Sequence, residues 1–443
     1  MGALPETKLA LLRSMVEMAP DRVVGDLRGA LADTSGDSAL VDVRLLVEAE
    51  VRDRQLRNAI LAPIVPLCIG DGKTPHLTFP ARALALVWRG LRDQATREVA
   101  RAEALFEEFK VEESSPEPFD VLARRAAKGL RERNHPKFVA AADVADAARP
   151  DGARLLAECF AMAPVVRSAV ARLPEWIQRI TDEDVALARL AYRDATAIAE
   201  DAGPRFFDML SAHLPQPWMV LRLISAVMDR PSETYLAGSE LSDFGERVLA
   251  AIDAALKVLD GFDPAEDQVR RAAKAVETIT AQVREMEGNV ELTRQGAWGA
   301  RLQRQKAALV RGVEAQLRAM DKAVRGVLIS EQRRVGRLNR DVPSLAATPA
   351  PEAVQRAGRL IAFAQEIRSF AGYGGFAAAH GEAMEAVTAY LETYVDDALE
   401  IMKAGEADDL AAARATVAAA ADLTAAAMGR SAAETVRRRL GAV

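Results

Sequence analysis

Glu132 and His135 stand at the Glu-x-x-His spacing of carboxylate-bridged di-metal bundles, where two such pairs and two further glutamates converge on the metals. The chain holds one copy, and Pro136 directly after the histidine points to a helix end, so a solvated turn is expected. Asp71-Gly72-Lys73-Thr74 has the ending of a phosphate-binding loop, whose backbone cradles phosphates ahead of a helix. The glycine needed five residues before Gly72 is Leu67, and Pro75 follows at once, which again leaves a turn. Cys68 and His76 are metal-ligand types, but no second pair at structural-zinc spacing accompanies them. None of the four histidines, His76, His135, His213 and His380, sits in a local signature with a nucleophilic Ser or Cys.

Several polar clusters have plain structural uses. Asp182, Glu183 and Asp184 after Thr181 fit a capped first helical turn, where negative charge suits the macrodipole. Gly372, Gly374 and Gly375 around Tyr373 predict a tight break between helices, and the stretch from His213 to Trp218 predicts a packed corner. No catalytic residue, metal or cofactor is therefore expected.

Charge and hydropathy together give a stronger pattern. Val310, Val313, Leu317, Met320, Val324 and Val327 alternate at three and four, one apolar seam along a long helix. Arg304, Arg311, Arg318 and Arg325 fall seven apart beside it. Residues 294–340 carry twelve Lys or Arg against three acids, +9 within 47 residues, whereas the whole chain is −6. Residues 382–409 invert this, with nine acids against Lys403. The favoured reading sets the basic helix against the acidic one inside the chain, where exposed pairs worth about 0–1 kcal/mol each would fix orientation. The other reading is an external anion. An anionic membrane surface would attract each cation by about 1 kcal/mol. Nucleic acid fits less well, because the chain is acidic overall and lacks aromatic interleaving or a recognition motif.

The elements that must position these residues follow from composition. Half of the residues are hydrophobic and only 5% are aromatic, with abundant alanine, which favours closely packed helices over sheet. Two cysteines in so long a chain form no disulfide framework and point to a reducing compartment. The N-terminus does not read as a signal peptide, and the longest apolar run, residues 59–69, is short of a span and contains two prolines. A cytoplasmic location is the expectation. Seventeen of the twenty prolines lie before residue 265, so short helices should give way to a few long ones.

These readings converge on an all-α chain of multi-helix bundles, elongated, with long coiled-coil-like helices in the C-terminal part. Three domains are expected, at residues 1–112, 119–263 and 264–443. The function expected is that of a non-enzymatic adaptor or scaffold acting on protein partners, a second copy of the chain among the possibilities. The candidate partner-binding residues are the four arginines and the six seam residues. The alternatives are a helical enzyme with a pocket between helices, or a peripheral binder of anionic membrane or nucleic acid through the arginine row. A pocket with converging polar groups would favour the enzyme, an exposed apolar stripe the scaffold.

Overall fold

The computed structural model describes residues 5–32, 38–70, 77–109, 117–199, 201–335 and 338–443. The turn expected at Asp33–Asp37, the tetrapeptide at 71–74 with His76, and most of the acidic linker expected at 110–120 lie outside the described residues. Helices make up nearly all the regular structure, as an all-α chain requires. They form two compact units, Met1–Asp229 and Arg230–Val443. That division differs from the one read from proline, whose second boundary, at residues 263–264, falls inside the second unit.

The first unit contains α1 (Glu6–Met18), α2 (Asp21–Leu31), α3 (Ser38–Ile60), α4 (Ala81–Gln94), α5 (Thr96–Phe109), α6 (Glu117–Glu132), α7 (Pro136–Ala148), α8 (Gly152–Val170), α9 (Leu173–Gln178), α10 (Asp182–Thr196), α11 (Ala202–Ala212) and α12 (Val220–Met228). Val16, Val24 and Val47 form the small core of α1–α3. Buried Arg54 supports it by donating to the Val16 and Ala19 carbonyls at the end of α1, both at 2.9 Å, the first of which also accepts from the Ala19 N–H. Phe138 of α7 packs between α4 and α6, where Gly90 and Gly129 leave room for its ring; a Cβ at Gly129 would come within 2.5 Å of it. Pro80 suits a helix start and the stretch to Phe109 is free of further proline, yet the chain breaks at Ala95 (φ −126°, ψ 39°). There the Thr96 hydroxyl donates to the Arg92 carbonyl and competes with the helical ladder.

The second unit contains α13 (Glu233–Ala237), α14 (Ser242–Asp260), α15 (Val269–Asn289), α16 (Ala297–Val327), β1 (Ser330–Val335), β2 (Leu338–Pro343), α17 (Pro351–Ile367), α18 (Ala371–Gly374), α19 (Ala377–Ala404), α20 (Leu410–Met428) and α21 (Arg430–Gly441). The basic stretch read as one helix through Arg340 ends instead at Val327. Beyond it β1 and β2 pair antiparallel, from Ser330 opposite Pro343 to Val335 opposite Leu338. The apolar three-four spacing stops at Val327, so continuing the helix would bury nothing further. The Tyr390 hydroxyl of α19 holds the turn-off by donating to the Leu328 carbonyl, with the Ser330 hydroxyl 3.0 Å away. The alanine-rich stretch 410–440, free of proline, likewise forms two helices, parted at Gly429 with φ +92°, a backbone state glycine adopts without penalty. By length and composition α20 could cross a membrane, unlike any segment expected from sequence, yet 56% of it is buried, against α17, α19 and α21.

Candidate functional site

At 3.6 residues per turn the buried side of α16 centres on Leu302, Leu309, Val313 and Met320. Val313, Leu317, Met320, Val324 and Val327 are buried against neighbouring helices of the same unit, and Val310 is half-buried. Five of the six seam residues thus belong to the unit's own core, which leaves those side chains little surface to offer a partner. Arg304, Arg311, Arg318 and Arg325 point the other way and are all exposed.

The arginines do not meet the acids of 382–409. Arg318 pairs with Glu314 at 3.5 Å and Arg325 with Asp321 at 3.0 Å, both one turn back on α16. Among the described residues Arg304 and Arg311 have no ion-pair partner. Yet α19 does lie beside α16: Gly375, at its start, neighbours Val310, and Tyr390 lies under the Arg325 guanidinium at 4.3 Å. Equal steps along both helices show that they run parallel. The basic helix thus does lie against the acidic one as expected, but the expected ion pairs are corrected: an aromatic ring, not a carboxylate, meets the last arginine of the row. Helical geometry supplies the reason, because a seven-residue repeat drifts by about 20° per heptad on a straight helix. Only at Arg325 has the row turned far enough to reach α19. On α19 the exposed Glu382, Glu385, Glu392 and Glu400 have no ion-pair partner among the described residues, and Asp396 pairs with Arg439 at 2.7 Å.

The start of α16 is built around a residue that the sequence reading passed over. Glu233, 4% exposed, accepts hydrogen bonds from the backbone N–H groups of Trp298 (2.6 Å), Thr293 (3.2 Å) and Gly299 (3.3 Å). A carboxylate thus satisfies the free donors at the positive end of the helix dipole. A Cβ at Gly296 would lie 2.2 Å from this carboxylate, and one at Gly299 would lie 2.0 Å from the Thr293 carbonyl. Gly296 and Gly299 thus serve close approach rather than looseness of the chain. Their spacing around Trp298 was the available signal, but nothing near them in sequence named Glu233. Beside the clamp opens a polar cleft of about 450 Å³ lined by Arg230, Glu287, Arg294 and Gln303. Arg230 has φ +52°, a left-handed conformation uncommon for a residue with a side chain.

In the first unit a second cleft, of about 460 Å³, lies among α1, α3, α4 and α7. Its acids are engaged by the scaffold, Glu17 by Arg89 and Asp53 by Arg92 and the Trp88 indole. A separate buried ion network joins Arg205 to Glu158 and Asp201, both at 2.7 Å. Hydrogen bonding from Arg205 holds the Asp201 carboxyl down at about 2. Burial pushes the Cys68 thiol up to about 12 and Cys159 further still, so both are unreactive small apolar groups. Burial likewise lowers His213, which lies 3.5 Å from the Pro63 carbonyl in the expected corner.

The remaining sequence candidates take structural places. His135 caps α7, its Nδ1 accepting from the Lys137 N–H, while Glu132 pairs with Lys128. Thr181 and Asp184 form a capping box. Gly375 has φ +78° in the break before α19, and His380 is buried with Nε2 2.8 Å from the Ala364 carbonyl. Among the described residues no three His, Cys, Asp or Glu side chains are grouped to hold a metal ion. Compared with protein-family models, with curated proteins and with solved structures, the chain matches none.

Proposed function

We propose that the chain is a helical adaptor or scaffold that works in the cytoplasm by protein contact, docking an acidic protein surface on the outward face of α16. The observation that carries this reading is the exposed row Arg304, Arg311, Arg318 and Arg325, whose acids of 382–409 lie elsewhere. Its charges recur every 10 to 11 Å, roughly, over about 32 Å, a spacing that glutamates seven apart on a partner helix would match. Arginine is enriched at protein interfaces, because its planar fork grips carboxylates in two places. A membrane is the poorer occupant, since an interfacial helix needs an apolar face for lipid and that of α16 is buried in the unit. Nucleic acid would have to approach a chain of net charge −6.

The test is fluorescence anisotropy with a labelled helical peptide bearing glutamate at every seventh position, beside duplex DNA and acidic vesicles. The wild type should bind the peptide in a salt-sensitive manner. Changing Arg304, Arg311, Arg318 and Arg325 together to Gln should abolish binding and leave the melting temperature unchanged. Equal peptide binding by the quadruple variant, or binding of DNA or vesicles in place of peptide, would overturn the proposal.

A further inference from the structure

We propose that the cleft of the first unit binds a phosphate monoester with an apolar body. This site lies in the first unit and uses no residue of the arginine face on α16. Its volume of about 460 Å³, walled by α1, α3, α4 and α7, falls in the range of small-molecule sites.

Donors and acceptors do not balance within it. Every acid that lines the cleft is already engaged. Glu50 accepts from buried Arg54 at 2.7 Å, and Asp53 takes the Trp88 indole N–H at 2.8 Å on one oxygen and Arg92 on the other. Glu17 lies 3.6 Å from Arg89, and Asp93 lies 3.7 Å from His135 Nε2. Arg13 and Lys137 line the same cleft, and among the described residues neither side chain has an ion-pair or hydrogen-bond partner. Arg89 and Arg92 add further N–H groups, since each engages its partner through one terminal nitrogen. Guanidinium and ammonium groups donate and do not accept, so what is missing from the cleft is an oxyanion.

Lys137 gives a second, independent sign. It is the second residue of α7, where the helix dipole is already positive, and no acid stands in that first turn to offset it. Stability of α7 gives no reason for a cation there. An anion held between Lys137 and Arg13 would meet the unpaired charges and the helix end together. The wall opposite is different in kind: Leu46 and Ala49, three apart on α3, present apolar surface to the cleft. Two uncompensated cations suit a dianion. A phosphate monoester carries about −1.5 to −2 at neutral pH, and its oxygens match the arginine fork.

Isothermal titration calorimetry of the full chain with phenyl phosphate tests the site, with benzoate, phenol and inorganic phosphate titrated alongside. The wild type should bind phenyl phosphate saturably, at least tenfold more tightly than benzoate or inorganic phosphate, and phenol should give no binding. R13Q/K137Q should weaken phenyl phosphate at least tenfold while keeping the wild-type melting temperature. Ala49→Glu, which sets a carboxylate at an exposed position of the α3 wall, should weaken it as much and carries the test if the double variant misfolds. R304Q/R311Q, on the exposed face of α16, should bind as the wild type does, which separates a built site from general attraction to positive charge. Absence of saturable phenyl phosphate binding, equal affinity for benzoate or inorganic phosphate, or unchanged binding by folded R13Q/K137Q or by Ala49→Glu would overturn the proposal. An equal loss in R304Q/R311Q would overturn it as well.

Discussion

Glu233 shows how much a single side chain can decide. Its carboxylate is the acceptor for three backbone donors at the start of the longest helix, and its charge sits where the helix dipole is positive. Replacing it with alanine leaves those donors facing a void. Hydrogen bonds to charged groups are worth about 1.5–3 kcal/mol each and do not add fully, so Glu233→Ala should cost about 2–4 kcal/mol in urea unfolding. An effect below that of an ordinary surface substitution would show that water replaces the carboxylate. Little of this was legible in sequence, because the clamp joins residues sixty and more positions apart, and only its glycines left a local trace. The histidine and acidic clusters were read better, since caps and corners depend on neighbours a few residues away, as Thr181 and Asp184 do.

Among the elements, periodicity was the legible part. The three-four spacing from Val313 to Val327 marks a buried stripe, and those residues are buried. Leu317→Asp should therefore destabilise the second unit by more than about 4 kcal/mol, because it places an unpaired carboxylate among apolar neighbours. Arg318→Gln, one residue on, should stay within about 0.5 kcal/mol, as exposed positions do. Chemical denaturation of both variants gives the comparison, and similar losses would show that α16 is turned differently. What periodicity could not give was the partner of each face. The charge balance between 294–340 and 382–409 suggested that the two helices adjoin, as α16 and α19 do, but which residues face across that contact depends on long-range packing, and the four arginines do not meet the acids there. The ends of elements were missed for a related reason. Gly429 and Ala95 interrupt runs whose apolar pattern continues past them.

In the whole molecule both units hold a carboxyl kept below its ordinary range, Asp201 in the first and Asp253 in the second, and the first adds a histidine that responds nearer neutral pH. His213 and Asp201, both titrating below their ordinary values, lie in the first. A group whose folded pKa is depressed contributes stability above its unfolded pKa and loses it as pH falls towards the folded value. For His213 the loss begins as pH drops through about 6.5, and for Asp201 it runs from about 4 towards 2. The first unit should accordingly melt at progressively lower temperature between about pH 7 and 5, and His213→Asn should flatten that slope. Calorimetry of residues 1–229 would check it, and an unchanged slope would show that His213 is hydrated. Proline distribution foreshadowed the contrast in helix length between early and late chain, and Pro231 stands two residues past the boundary at Asp229, but it is one of many prolines there and its spacing does not set it apart.

The clamp on α16 also orders events in time. During synthesis Glu233 leaves the ribosome 65 residues before Trp298 and so stays hydrated until the start of α16 emerges to meet it. At about 5–20 residues per second that interval lasts seconds, far longer than the microsecond formation of a helix. Docking of the carboxylate therefore waits on translation, whereas α14 and α15, which pack on each other, are complete before α16 begins.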